Sequence, residues 1–141
     1  MKFAHLADVH IGGWQDPMLK ELGLKAFKKT IDICINDNTA FIIIAGDLFD
    51  TAFPSIESLK DVAWILRKLK KNNIGVYVVP GSHDFSPSGK SMIDVLEKAG
   101  LLKNVMKIKD NKLLFTLDKT GVKITGILGL RSGLDKEYFK T

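Results

Sequence analysis

The sequence predicts an α/β domain with a mostly parallel sheet, and three observations carry that prediction. Short apolar segments alternate with helical segments over the first hundred residues, giving the order βαβαβα. The middle strand, Phe41-Ile42-Ile43-Ile44-Ala45, is apolar on both faces, as a strand covered on two sides should be. Each of the three strands runs into a polar cluster, and ligands of open α/β sheets gather at the carboxyl ends of the strands.

Taken in order, Lys2 to Ala7 alternates loosely and delivers the carboxylate of Asp8, with His5 inside it read as a packed core histidine. Gly12-Gly13 breaks the chain. Leu24, Phe27, Ile31, Cys34 and Ile35 recur at helical spacing, with Cys34 read as a small core residue and Ile33 off the apolar face. After the Phe41–Ala45 strand, Pro54-Ser55 opens a second helix with Ser55 as its N-cap. Ile56, Leu59, Val62, Ala63, Leu66 and Leu69 line one side of it, Ile65 stands at the edge, and Trp64 lies opposite. Ile74 to Val79 is the third strand, closed by Pro80-Gly81. Ser91-Met92-Ile93-Asp94 is a capping box with Asp in the usual Glu position, opening a short helix that ends at Gly100. Beyond Leu101, Val105 to Ile108, Leu113 to Leu117 and Val122 to Leu128 read as successive strands. Turns at Asp110-Asn111 and Lys119-Thr120-Gly121 join them, and they begin a second sheet.

The 141 residues allow one domain, residues 1–141, and 45% hydrophobic with 26% charged residues is ordinary globular composition. The longest apolar run, Phe41 to Ala45, is far too short for a membrane span, and Met1-Lys2-Phe3 leads into a strand rather than a signal peptide. The single cysteine excludes an intramolecular disulfide framework and suits a reducing cytoplasm. A net charge of +5 favours anionic partners weakly. Only Arg67 and Arg131 among the 21 cations are arginine, so the lysines are read first as solvated helix faces and second as a nucleic-acid stripe.

The chemistry lies in Asp8-Val9-His10, Gly46-Asp47-Leu48-Phe49-Asp50 and Gly81-Ser82-His83-Asp84. A carboxylate and an imidazole two residues apart just past a strand end can converge on one cation. Hard oxygen with borderline nitrogen suits Mn, Fe or Zn better than Ca. Glycine before Asp47 and before Ser82 lets the backbone turn tightly. Asp84 can orient the His83 ring, and Asp50 is read as a turn carboxylate rather than a ligand.

The sequence D-x-H, then G-D-x-x-D, then a glycine-led H-D resembles the calcineurin-like metallophosphoesterases. His5-Leu-Ala-Asp-Val-His-Ile-Gly12, Ala45-Gly-Asp-Leu-Phe-Asp50 and Val79-Pro-Gly-Ser-His-Asp84 are similar to the Mre11/SbcD nucleases of double-strand break repair. The resemblance implies an α/β/β/α sandwich, represented here by the βαβαβα sheet and an incomplete second sheet. It implies that Asp8 and His10 bind one divalent cation, Mn²⁺ foremost, and that Asp47 bridges two, roughly 3.5–4 Å apart. His83 would stand beside the scissile phosphate, stabilising the transition state or protonating the leaving oxygen. The implied function is a two-metal exonuclease acting on DNA ends. The implied partners are a second copy, through helices around Ile33 and Trp64, and a Rad50/SbcC-type ATPase. A phosphoesterase for small nucleotides or phosphoproteins, and a catalytically dead module kept for dimerisation or DNA binding, are the competing readings.

Two departures qualify it. Ser82 stands where the family has an asparagine whose amide oxygen ligates the second metal, and a hydroxyl is a poorer neutral ligand. The sequence holds only His5, His10 and His83, whereas the family pattern needs more histidines, including a G-H-x-H pair that does not occur before Thr141. No His or Cys follows Phe85. The expectation is therefore the N-terminal portion of a longer nuclease domain, with one firm metal site.

Overall fold

The computed structural model describes residues 1–86, 89–110 and 112–128. Four parallel strands, β1 (Ala4–Leu6), β2 (Phe41–Ala45), β3 (Gly75–Val79) and β4 (Lys103–Asn104), stand in simple sequence order. Between them run helices α1 (Pro17–Asn36), α2 (Ile56–Lys71) and α3 (Met92–Lys98). When strands are added in one direction, right-handed crossovers put every helix on the same face. The core agrees: Ile42, Ile44, Val76 and Val78 pack with Phe27, Ile31, Val62, Leu66, Ile93 and Leu96. Burying each such side chain contributes about 1.5–3 kcal/mol.

The opposite sheet face packs Phe41 and Tyr77 against Val105 and Ile124. Ile124 comes from the second of two hairpins, β5 (Ile108–Lys109) with β6 (Lys112–Leu113) and β7 (Thr116–Leu117) with β8 (Lys123–Ile124). The layering is thus helices, parallel sheet, then short antiparallel strands, as the resemblance implies.

The helix ends follow their local chemistry. Asp16 accepts hydrogen bonds from the Met18 and Leu19 N–H groups at 2.8 and 3.1 Å, with Pro17 in the first turn, so α1 starts well before the periodic stretch at Leu24. Ser55 caps α2 as expected. At α3 the Ser91–Asp94 capping box is complete in both directions.

Four expectations need correction. His5 is exposed rather than packed, because β1 is an edge strand and His5 shares its face with Ile43, away from the helices. On α2, Ile56 is 80% exposed at the first turn, and Ile65 is fully buried in the stripe. Lys103–Asn104 adds an unforeseen fourth parallel strand, and Val105 fills the second core from outside any strand. The three long meander strands are instead two hairpins of two-residue strands, the second turning at Asp118–Gly121, where Gly121 N–H bonds Asp118 O at 2.9 Å. Asn111, Arg131, Asp135 and Glu137 lie outside the described residues.

Candidate metal centre

The three polar clusters converge because their loops are tied through the backbone. The Asp8, His10 and Ile11 N–H groups donate to the carbonyls of Gly46, Asp47 and Leu48 at 3.2, 2.9 and 3.0 Å, so the loop after β1 runs beside the loop after β2. Gly46 N–H donates in turn to Val79 O at 2.9 Å. Gly81 then passes so close to Asp47 that a Cβ there would stand 2.6 Å from Asp47 Cγ. Glycine is needed at 81 by that approach, and at 46 by a φ of +87°.

Asp8, His10 and Asp47 have φ of 53°, 47° and 49°, in the left-handed region that L-residues avoid. Such strain persists only where the surroundings over-determine it, and it clusters at functional sites.

The side chains form two overlapping groups. In the first, ligand atoms of Asp8, His10 and Asp47 all lie within 4.8 Å of one another. His10 Nε2 is 3.8 Å from Asp8 Oδ1 and 3.8 Å from Asp47 Oδ2. The second joins His10, Asp50 and His83. His10 Nδ1 lies 3.0 Å from Asp50 Oδ1, and His83 Nδ1 lies 2.7 Å from the Asp50 carbonyl. Neither a carboxylate nor a carbonyl can donate, so both Nδ1 atoms carry the proton. This leaves the His10 Nε2 lone pair facing the two carboxylates, the arrangement a ligating imidazole needs. Two hard oxygens with one imidazole nitrogen fit a divalent cation such as Mn, Fe or Zn. The rings of His10 and His83 meet edge to face at 4.9 Å.

Asp50 therefore belongs to the site and is no ordinary turn carboxylate. Its place three residues after Asp47 was the available signal, and only the tertiary approach of His10 reveals the contact. Asp84 needs the opposite correction. Its carboxylate is 1% exposed and accepts from the N–H groups of Leu48, Phe49 and Gly81 at 3.0, 2.9 and 3.1 Å. It braces the loop after β2 to the loop after β3, while the Asp50 carbonyl orients the His83 ring. Burial pushes the Asp84 carboxyl above its ordinary pKa, the three N–H donors pull it down, and the charge of Asp47 adds to the rise. His83 N–H also donates to Asp47 Oδ1 at 2.8 Å, and Ser82 lies half-buried in the same turn.

The chain matches the calcineurin-like phosphoesterase family over residues 1–138. It is 40% identical over 113 residues to the DNA double-strand break repair protein Mre11 of Archaeoglobus fulgidus, covering 79% of this chain and 25% of that protein. Against the proteins of the same name from Methanococcus maripaludis and Sulfolobus acidocaldarius the identities are 34% and 31%. Those matches cover 81% and 86% of this chain, and 29% and 33% of the relatives. The chain thus spans between a quarter and a third of the length of these relatives.

Proposed function

The chain belongs to the calcineurin-like phosphoesterase family, and on that premise we propose that it is a metal-dependent DNA phosphodiesterase of the Mre11/SbcD type. The observation that carries the reading is the first group of side chains: the His10 Nε2 lone pair directed at Asp8 and Asp47, with His83 alongside. Asp8, His10 and Asp47 would hold the cation, Mn²⁺ by preference. When bound, such a cation neutralises phosphoryl charge and makes an attacking water more acidic. The residues of this chain do the rest. Asp50 holds the His10 ring through its carboxylate and the His83 ring through its carbonyl. His83, with Nδ1–H held by the Asp50 carbonyl, would present Nε2 to the leaving oxygen and, in its imidazolium form, give up the Nε2 proton to it. The Asp47 carboxylate, in the loop after β2, also fixes the His83 backbone by accepting its N–H. A second cation would be held by Asp47 and the hydroxyl of Ser82, so one firm site per chain is expected.

The relatives are named for DNA double-strand break repair, and DNA ends are the substrate proposed for this chain. The test is Mn²⁺-dependent release of nucleotides from duplex ends by the native protein and by Asp47→Ala, with calorimetric counting of Mn²⁺ sites. Release that Asp47→Ala abolishes is the expected result. Hydrolysis of p-nitrophenyl phosphodiesters without DNA cleavage would move the reading to small diesters, and two tight sites would overturn the single-site expectation.

A second reading, self-association, is favoured by one observation. Trp64 and Ile33 are 62% and 54% exposed on the outer sides of α2 and α1, and Lys68–Asp32 and Lys28–Asp61 ion pairs at 2.6 and 3.5 Å lock these helices together. An exposed Trp on a rigid surface is a common interface anchor. Light scattering of native and Trp64→Glu protein decides it, and identical monomers would end the idea. A Rad50/SbcC-type ATPase and a cytoplasmic location are proposed from the resemblance alone. Among the described residues, no helix is long and apolar enough to cross a membrane.

A further inference from the structure

Each of the three loops that build the metal centre also presents one aromatic side chain to solvent. Trp14 follows His10 by four residues and is 58% exposed. Phe53 follows Asp50 by three and is 59% exposed, and Phe85 follows His83 by two and is 44% exposed. For Trp14 and Phe85 the adjoining backbone is held to the centre. Gly13, next to Trp14, lies against Asp50 so closely that a Cβ there would be 2.9 Å from Asp50 Oδ1, and its N–H donates to His10 O at 3.0 Å. Phe85 adjoins Asp84, whose carboxylate ties its own loop to the loop after β2.

Packing does not explain these rings, since none belongs to either hydrophobic core. An exposed Phe or Trp is individually ordinary. One on every ligand-bearing loop is a pattern, and it calls for a ligand with flat apolar faces around a charged centre. A nucleic acid is such a ligand: a phosphodiester held at the cation carries a base on the sugar at either side, and unpaired bases stack on aromatic side chains whatever their sequence. A phosphoprotein loop or a small phosphomonoester offers no series of flat rings. The net charge of +5 suits a polyanion.

We propose that Trp14, Phe53 and Phe85 form a base-stacking collar around the metal centre, their rings taking the bases that flank the scissile phosphodiester. The collar rests on the phosphodiesterase reading for its orientation, but its test is binding, which needs no turnover. On a Trp64→Phe background Trp14 is the only tryptophan, and its emission reports stacking directly. The full chain is titrated with oligothymidylate and with an abasic deoxyribose-phosphate oligomer of equal length and charge.

Oligothymidylate is expected to quench Trp14 and to bind roughly fivefold to a hundredfold tighter than the abasic oligomer, from the usual strength of one stacked base. Phe53→Ala and Phe85→Ala should each weaken oligothymidylate binding and leave abasic binding unchanged. These are surface changes, so circular dichroism should show native folding. Equal affinity for the two oligomers, or no binding of either, overturns the collar. Mn²⁺-dependent hydrolysis of bis(p-nitrophenyl) phosphate, which carries no base, is measured in parallel. Its loss with stacking intact would sink the phosphodiesterase reading and spare the collar.

Discussion

Replacing Gly81 with alanine tests whether the centre depends on the close passage of two loops. No positive φ constrains Gly81, so alanine suffers no backbone penalty, and the effect of the methyl group is steric. The added Cβ would stand 2.6 Å from Asp47 Cγ, and nearer still to Asp47 Oδ1 and its backbone nitrogen. One of those three atoms is backbone, so a rotamer change alone does not relieve the clash. Overpacking of this kind costs about 1–3 kcal/mol. Moving the Asp47 carboxylate also breaks the His83 N–H bond to it, and a hydrogen bond to a charged group contributes about 1.5–3 kcal/mol. The expected loss is about 3 kcal/mol even with partial relaxation, a large part of the roughly 5–15 kcal/mol that holds a domain folded. Urea unfolding followed by circular dichroism measures it, and Mn²⁺ titration under native conditions should show weakened binding. A variant within about 0.5 kcal/mol of the native protein, with unchanged Mn²⁺ affinity, would refute the close-passage argument, because surface changes of no consequence fall in that range.

Gly23→Ala is the matching control: it lies inside α1 with nothing within 4 Å of its Cβ position, and should stabilise by about 0.5–1 kcal/mol in the same assay. Asp50→Ala should weaken Mn²⁺ binding roughly tenfold to a hundredfold by calorimetry, because the partner that orients His10 is gone; unchanged affinity would return Asp50 to a mere turn. The pair formed by the Tyr77 hydroxyl and Asp118 Oδ2 at 2.6 Å predicts a pH profile. Burial raises the Asp118 carboxyl, but the hydroxyls of Tyr77 and Thr120 and two backbone N–H groups outweigh it and leave the pKa below the ordinary value. A depressed folded pKa adds stability above the unfolded pKa of about 4, and that stability disappears as pH falls through the folded value. Burial and then Asp118 push Tyr77 well up, so stability should also decline as pH rises past about 10, where the unfolded chain ionises first. Tyr77→Phe should flatten both limbs of urea stability plotted against pH; an unaltered profile would contradict the assignment.

Much of the fold was legible because it depends on local patterns. The alternating periods placed β2, β3 and α2, and the Ser55 and Ser91 caps marked where two helices begin. The errors have a common physical origin in tertiary context. Helical periodicity detects only the stretch of α1 that touches the sheet, so the exposed first turns from Pro17 passed unseen although Asp16-Pro17 marked them. His5 looked buried because alternation within β1 does not reveal that β1 is an edge. Two residues, Lys103 and Asn104, are too few to show a strand pattern, yet they complete the parallel sheet beside Tyr77 and Val78. In the site, the spacing of Asp8, His10, Asp47 and His83 pointed to one region of space, and the structure brings them together. What spacing cannot decide is which neighbouring carboxylate faces inward. Asp50 and Asp84 exchanged their expected roles because that choice depends on contacts some 35 to 40 residues apart in sequence.

Contacts between the loops also maintain the strain at the centre. Left-handed φ at Asp8, His10 and Asp47 costs roughly 1–2 kcal/mol per residue, least for Asp, and a free loop would relax it. Here relaxation is opposed at each point: by backbone bonds from Asp8 and His10 to the Gly46 and Asp47 carbonyls, and by the His83 N–H on Asp47. Asp84 bears on the segment just beyond, through Leu48, Phe49 and Gly81. A buried carboxylate with raised pKa is a costly brace. It stabilises nothing that an apolar residue of the same size could hold, because only an acceptor can satisfy three converging N–H groups. Asp84 therefore acts on the cation site at one remove, by holding the segment just after Asp47 against Gly81 before any cation arrives. That division of labour separates the variants. Loss of Asp50 should disturb the cation with the fold intact, whereas loss of Asp84 should disturb the fold first and the cation as a consequence.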